Sequence, residues 1–87
     1  MSLLDVLKRC RELSLASQDA LWSSLGVSEI VAILDRGLEA LEQGTALDRA
    51  ELKLLFAPTG ALQETSMENG WSSDYLVLST HFDRLIG

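Results

Sequence analysis

Three carboxylates, Asp35, Glu39 and Glu42, recur at steps of four and three residues, a spacing that stacks them on one face if the segment is helical. Two chemistries use such a set: a hard divalent cation held by oxygen ligands, or a pair of carboxyls tuned apart to serve as acid and base. The first needs more oxygen ligands from elsewhere, and the second needs burial or a close like charge. Neither is supplied around these positions, so the expectation is a solvated acidic face. Cys10 is the single cysteine and His81 the single histidine, and together they match no zinc spacing. Cys10 falls among Leu3, Val6, Leu7 and Leu13 at helical intervals, where a thiol is a small apolar filler. His81 stands beside Phe82 and Asp83 with no nucleophile near it. Gly-x-Ser-x-Gly, a metal-binding His-Glu motif and a phosphate loop are all absent from the sequence. The expectation is therefore a non-enzyme with no catalytic residue, no cofactor and no metal.

Binding is the chemistry that remains. The candidate contact residues are Asp35, Glu39 and Glu42 on the acidic face together with Trp22 and Trp71, tryptophan being an anchor residue in cores and interfaces alike. Thirteen acidic side chains against seven basic ones give a net charge of -6. That balance repels phosphate and anionic membrane surfaces and favours either a basic protein partner or simple solubility. Lys8, Arg9 and Arg11 form the one basic cluster, placed to offset acidic groups elsewhere on the molecule.

The element that must carry the acidic face is Ser28 to Gly44. At 100° per residue Ile30, Val31, Leu34, Leu38 and Leu41 share one arc, and Asp35, Arg36, Glu39, Glu42 and Gln43 lie opposite. Ile33, Gly37 and Ala40 widen the apolar arc to about half the circumference, so the helix needs neighbours on two sides. Gly37 and Ala40 are small enough for one of them to approach closely. Ser28 is the expected N-cap and Gly44 the expected left-handed stop.

Around it the same periodicity predicts a first helix over residues 3–14, a short second helix over residues 18–25 capped by Ser17, and a fourth from Thr45 or Asp48 to Phe56. In the fourth, Leu47, Leu54 and Leu55 share the buried face, widened by Leu52 and Phe56. Pro58 and a cap at Thr59 lead to a fifth helix over residues 61–69. In the last segment Trp71, Tyr75, Leu78, Phe82 and Leu85 recur at alternating steps of four and three, the spacing of a helix seam. A strand over residues 75–80 after an Asn69-Gly70 hairpin turn is the alternative, and it is weaker because the seam extends beyond it on both sides. The expected fold class is all-α, a small irregular or orthogonal bundle of five to six short helices in one domain, residues 1–87, with the first, central and last helices forming most of the core. No apolar run approaches the roughly 18 residues of a membrane span and no leader pattern stands at the start, so a cytoplasmic protein is expected.

Residues 18–37, QDALWSSLGVSEIVAILDRG, resemble the helix-turn-helix segment of phage-repressor-type regulators in their short helix, Gly-Val-Ser turn and second helix ending at Gly37. The resemblance implies a DNA-binding regulator with its recognition helix after the turn. Trp22 stands where that family has a small residue, and Glu29, Ile30, Val31, Ala32 and Ile33 stand where polar or basic side chains meet base edges. The leading expectation is thus a small acidic helical protein-protein interaction module that binds a basic partner, as inhibitor, antitoxin-like or immunity-like proteins would. Two alternatives remain open: a divergent helix-turn-helix transcriptional regulator, and a structural homodimer formed through the apolar surplus, with nucleic acid the less favoured partner and no membrane contact.

Overall fold

A computed structural model describes residues 1–86. Among them are five helices and no strand: α1 (Leu3–Leu15), α2 (Val27–Gln43), α3 (Arg49–Leu55), α4 (Ala61–Glu68) and α5 (Ser72–Ile86). The all-α expectation holds, and the last segment is a helix throughout. α1 packs on both α2 and α5, α3 packs on α2 next to α1, with Gly37 facing both Leu7 and Leu52, and α4 packs on α5. Val6, Leu7 and Cys10 of α1, Ile30 and Leu34 of α2, Leu62 of α4 and Phe82 of α5 are among the fully buried members of one connected core.

The starts and stops follow from local chemistry. Ser2 caps α1 in a reciprocal box, its hydroxyl accepting from the Asp5 amide while the Asp5 carboxylate accepts from the Ser2 amide. Those bonds to Ser2 hold the Asp5 carboxyl below its usual pKa. Gly44 ends α2 in the left-handed conformation, at φ 69°. Gly37 lets Leu7 come close: a Cβ there would stand 3.0 Å from a methyl of Leu7 and 3.5 Å from Leu52. That is the two-sided packing the wide apolar arc demanded.

Five local expectations are corrected. The helix predicted over residues 18–25 does not form. That stretch runs as turns and loop: the Asn69 amide takes up both backbone groups of Gln18, the Ser23 hydroxyl those of Leu25, and Asp19 reaches out of it to the Val27 amide. Ser28 does not cap α2, which begins one residue earlier behind Gly26 with no cap bond from its own side chain. Thr59 does not cap α4; Gly60 does, in a pocket of carbonyls so tight that a Cβ would lie 2.8 Å from the Ala57 oxygen. Finally, α3 turns Leu52 and Leu55 inward and leaves Leu54 exposed, and α5 buries Ile86 in place of Leu85.

Candidate functional site

The acidic face of α2 exists, but it is half of a groove. Asp35 receives a hydrogen bond from the Nε of Arg11 on α1 at 2.5 Å. Lys8 and Arg11 line one wall of an open groove of about 600 Å³, and Glu39, Glu42 and Gln43 line the other. The basic cluster therefore does offset acidic groups, and it does so on the very face where a basic partner was expected. Glu39 and Glu42 stay exposed, while Arg36 turns away to make a two-pronged contact with Glu51 of α3 at 3.0 and 3.2 Å. The Glu51 bonds raise the Arg36 pKa.

The two tryptophans part company. Trp71 is only 6% exposed; its ring packs edge-on against Tyr75 and its indole Nε1 donates to the Ser17 hydroxyl at 2.8 Å. It anchors the core and offers no outer face to a partner. Trp22 is the opposite case. It is 80% exposed and its neighbour Leu21 is 78% exposed, so the core part of the expectation for Trp22 is overturned.

The loop that carries Leu21 and Trp22 is held on both sides of them. Ser17 donates to the Leu13 carbonyl while receiving the Trp71 indole. Both backbone groups of Gln18 are bonded by one side chain, the Asn69 amide, whose oxygen accepts from the Gln18 amide and whose nitrogen donates to the Gln18 carbonyl, each at 2.9 Å. Asp19 reaches forward to accept from the Val27 amide at 2.7 Å, so the cap of α2 comes from eight residues upstream. The Ser23 amide donates to the Ala20 carbonyl, closing a β-turn with Leu21 and Trp22 at its two corners. Such corners normally carry Gly, Pro, Asn, Asp or Ser. Two large apolar side chains are instead raised on a fixed turn and left in solvent.

Ser24 and Leu25, just past this turn in the chain, line a cleft of about 370 Å³ together with Ile33, Leu54, Leu55, Gly60 and Ala61, and with Glu51 as its one charged residue. Leu25 is three residues past Trp22 and is held by Ser23, whose hydroxyl bonds both its amide and its carbonyl. Leu54, 75% exposed, forms the outer rim. The cleft was missed in the sequence because its walls come from the loop, α2, α3 and α4. The one readable signal was the density of Ser, Asp and Gly around Leu21 and Trp22, which marks a turn.

Other candidates stay quiet. Cys10 is buried and burial pushes its thiol up to about 12, which makes it a poor nucleophile. Tyr75 is likewise raised to about 12 by burial, with its hydroxyl donating to the Phe56 carbonyl at 3.0 Å. Among the described residues no group of three His, Cys, Asp or Glu side chains is placed to hold a metal ion, and no helix is long and apolar enough to cross a membrane. The helix-turn-helix resemblance loses its first helix, since residues 18–25 are loop, and Ile30 is buried in the core. Comparison with protein-family models, with curated proteins and with solved structures returned no match.

Proposed function

We propose that this chain is a small protein-interaction module, without catalytic activity, that grips a basic protein partner through the Leu21–Trp22 turn. The observation that carries the reading is the exposure of these two residues, 78% and 80%, on a loop whose backbone is tied down on both sides. Large apolar groups in solvent are costly unless something covers them, and tryptophan is the residue type most often found at the energetic centre of interfaces. A turn already fixed in shape loses little entropy on binding. The net charge of -6 favours a basic partner, although near the turn Glu12 and Asp35 are already bridged by Arg9 and Arg11 and Asp19 is bonded to the Val27 amide. The exposed Glu39 and Glu42 add to that field and speed encounter more than they add affinity. Such a module suits an inhibitor, antitoxin-like or immunity-like role.

The test is a paired capture from lysate of the native cells, with wild type and Trp22→Ala as baits and captured proteins identified by mass spectrometry. A basic protein retained by wild type, lost with Trp22→Ala and released as salt rises is the expected result. Identical captured sets on the two baits would sink the reading.

A further inference from the structure

We infer that Asn69 is a modification site, deamidating at the Asn69-Gly70 bond, and that this reaction releases residues 16–26 from the body of the fold. Asn69 is the only asparagine in the chain, and a glycine follows it. Its side-chain amide is the latch of the loop. Oδ1 accepts from the Gln18 amide, and Nδ2 donates to the carbonyls of Gln18 and Thr65, each at 2.9 Å. Among the described residues, the one other hydrogen bond that reaches the loop from a distant part of the chain is that of the Trp71 indole to Ser17. Little apolar burial backs these bonds, since Ala20 is the only buried residue between 16 and 26 and Leu25 is only partly covered by the core. A segment with so few buried contacts opens locally at a fraction of the cost of global unfolding. The loop is therefore a strap that lifts while the helices stay folded.

The Asn69-Gly70 pair is set for an intramolecular cyclisation. Gly70 is exposed, its amide has no hydrogen-bond partner among the described residues, and without a Cβ it presents an unhindered nitrogen. That nitrogen attacks the side-chain carbonyl carbon of Asn69. The bond to the side-chain nitrogen breaks, and ammonia leaves with the proton that the Gly70 amide gives up. Water then opens the resulting succinimide at either carbonyl, leaving aspartate or isoaspartate. No oxidant or reductant is consumed. In the closed strap the Asn69 amide is turned toward Gln18 and Thr65 and held there, so ring closure waits for the strap to lift. The product cannot latch again. A carboxylate accepts but does not donate, so the bonds to the Gln18 and Thr65 carbonyls are lost and those oxygens face a negative charge. Opening, cyclisation and lasting release form a one-way timer on the loop that presents Leu21 and Trp22. Only its effect on partner binding rests on the reading of that turn as the contact surface.

The test ages the purified chain in neutral buffer and follows Asn69 by peptide mass mapping, with the same chain unfolded in urea as the reference. Native Asn69 should convert at least about 10-fold more slowly than unfolded Asn69, because the latch must open first. Ser17→Ala removes the Trp71 tie and leaves Asn69 and Gly70 in place. It should speed conversion by the same factor as it speeds hydrogen exchange at the Gln18 amide. Asn69→Asp should exchange the Trp71 indole proton at least about 10-fold faster than wild type, with the core amides of Ile30 and Phe82 changed by less. Equal conversion in native and unfolded chains, conversion indifferent to Ser17→Ala, or wild-type exchange at Trp71 in Asn69→Asp overturns the inference. Capture of the basic protein should weaken with Asn69→Asp. Unaltered capture beside fast Trp71 exchange leaves the timer standing and counts against the turn as the contact surface.

Discussion

At the residue scale the buried titratable groups matter through their silence at neutral pH. Cys10 and Tyr75 both sit in the core, and burial raises each to about 12 from ordinary values of 9.0 and 10.0. In the unfolded chain these groups release their protons near the ordinary values, while in the fold they hold them. The unfolded state therefore binds fewer protons between the two limits, and stability falls with rising pH there. The contribution is complete below pH 9 and lost progressively toward pH 12. The urea midpoint should thus be level from pH 7 to 9 and decline above it, and Cys10→Ala should flatten the first part of that decline. A thiol reagent at pH 8 should label Cys10 only as fast as the chain unfolds. Labelling at the rate of a free thiol would mean that Cys10 is not enclosed. Here the sequence was legible, because Cys10 lies on the apolar stripe of its helix. The hydroxyl of Tyr75 was not, since its acceptor, the Phe56 carbonyl, is supplied by a different helix end.

At the scale of elements, the informative case is the start of α2. Local sequence favours Ser28 as the cap, yet the amide of Val27 is satisfied by Asp19 from the preceding loop. A long-range cap of this kind also ties the loop to the helix, so it positions the Leu21–Trp22 turn as well. Replacing Asp19 by Ala should cost about 1 kcal/mol in thermal or urea unfolding and loosen hydrogen exchange at Val27. Ser28→Ala should cost only a few tenths, because that hydroxyl caps nothing. The reverse order would return the cap to Ser28. The absent helix over residues 18–25 has the same origin. Gln18, Asp19 and Ser23 each have a partner that a helix would deny them, and the decisive one, Asn69, is 51 residues away from Gln18 in the chain.

For the whole molecule the question is how charge is distributed once the helices are packed. Arg11 and Lys8 face the acidic side of α2 across a groove, and Asp35 is spoken for by Arg11. Both side chains of that bridge remain 40–47% exposed, so the pair contributes little, up to about 1 kcal/mol. Asp35→Lys should lower stability by no more than about that amount, and Glu39→Lys by less still, because Glu39 makes its one side-chain bond with the Gln43 amide on the surface. Chemical denaturation read by circular dichroism checks both. A loss of several kcal/mol at Glu39 would mean that this face is buried against something in the native chain.

The sequence by itself determined where the five helices lie, most of the apolar stripes that α1 and α2 bury, and how helices end at Gly44 and before Pro58. Those features depend on periodicity and on turn chemistry within a few residues, and such interactions are local. It also determined the net charge, and with it the kind of partner worth considering. Only the tertiary structure decided the rest. Trp71 went inside because Ser17 and Tyr75 meet its ring there, and Trp22 stayed outside because its loop is bonded to α2 and to Asn69 in a way that points the turn at solvent. The two residues are the same in type. Their fates differ because burial is set by which distant groups fold up against a side chain, and no spacing along the chain encodes that.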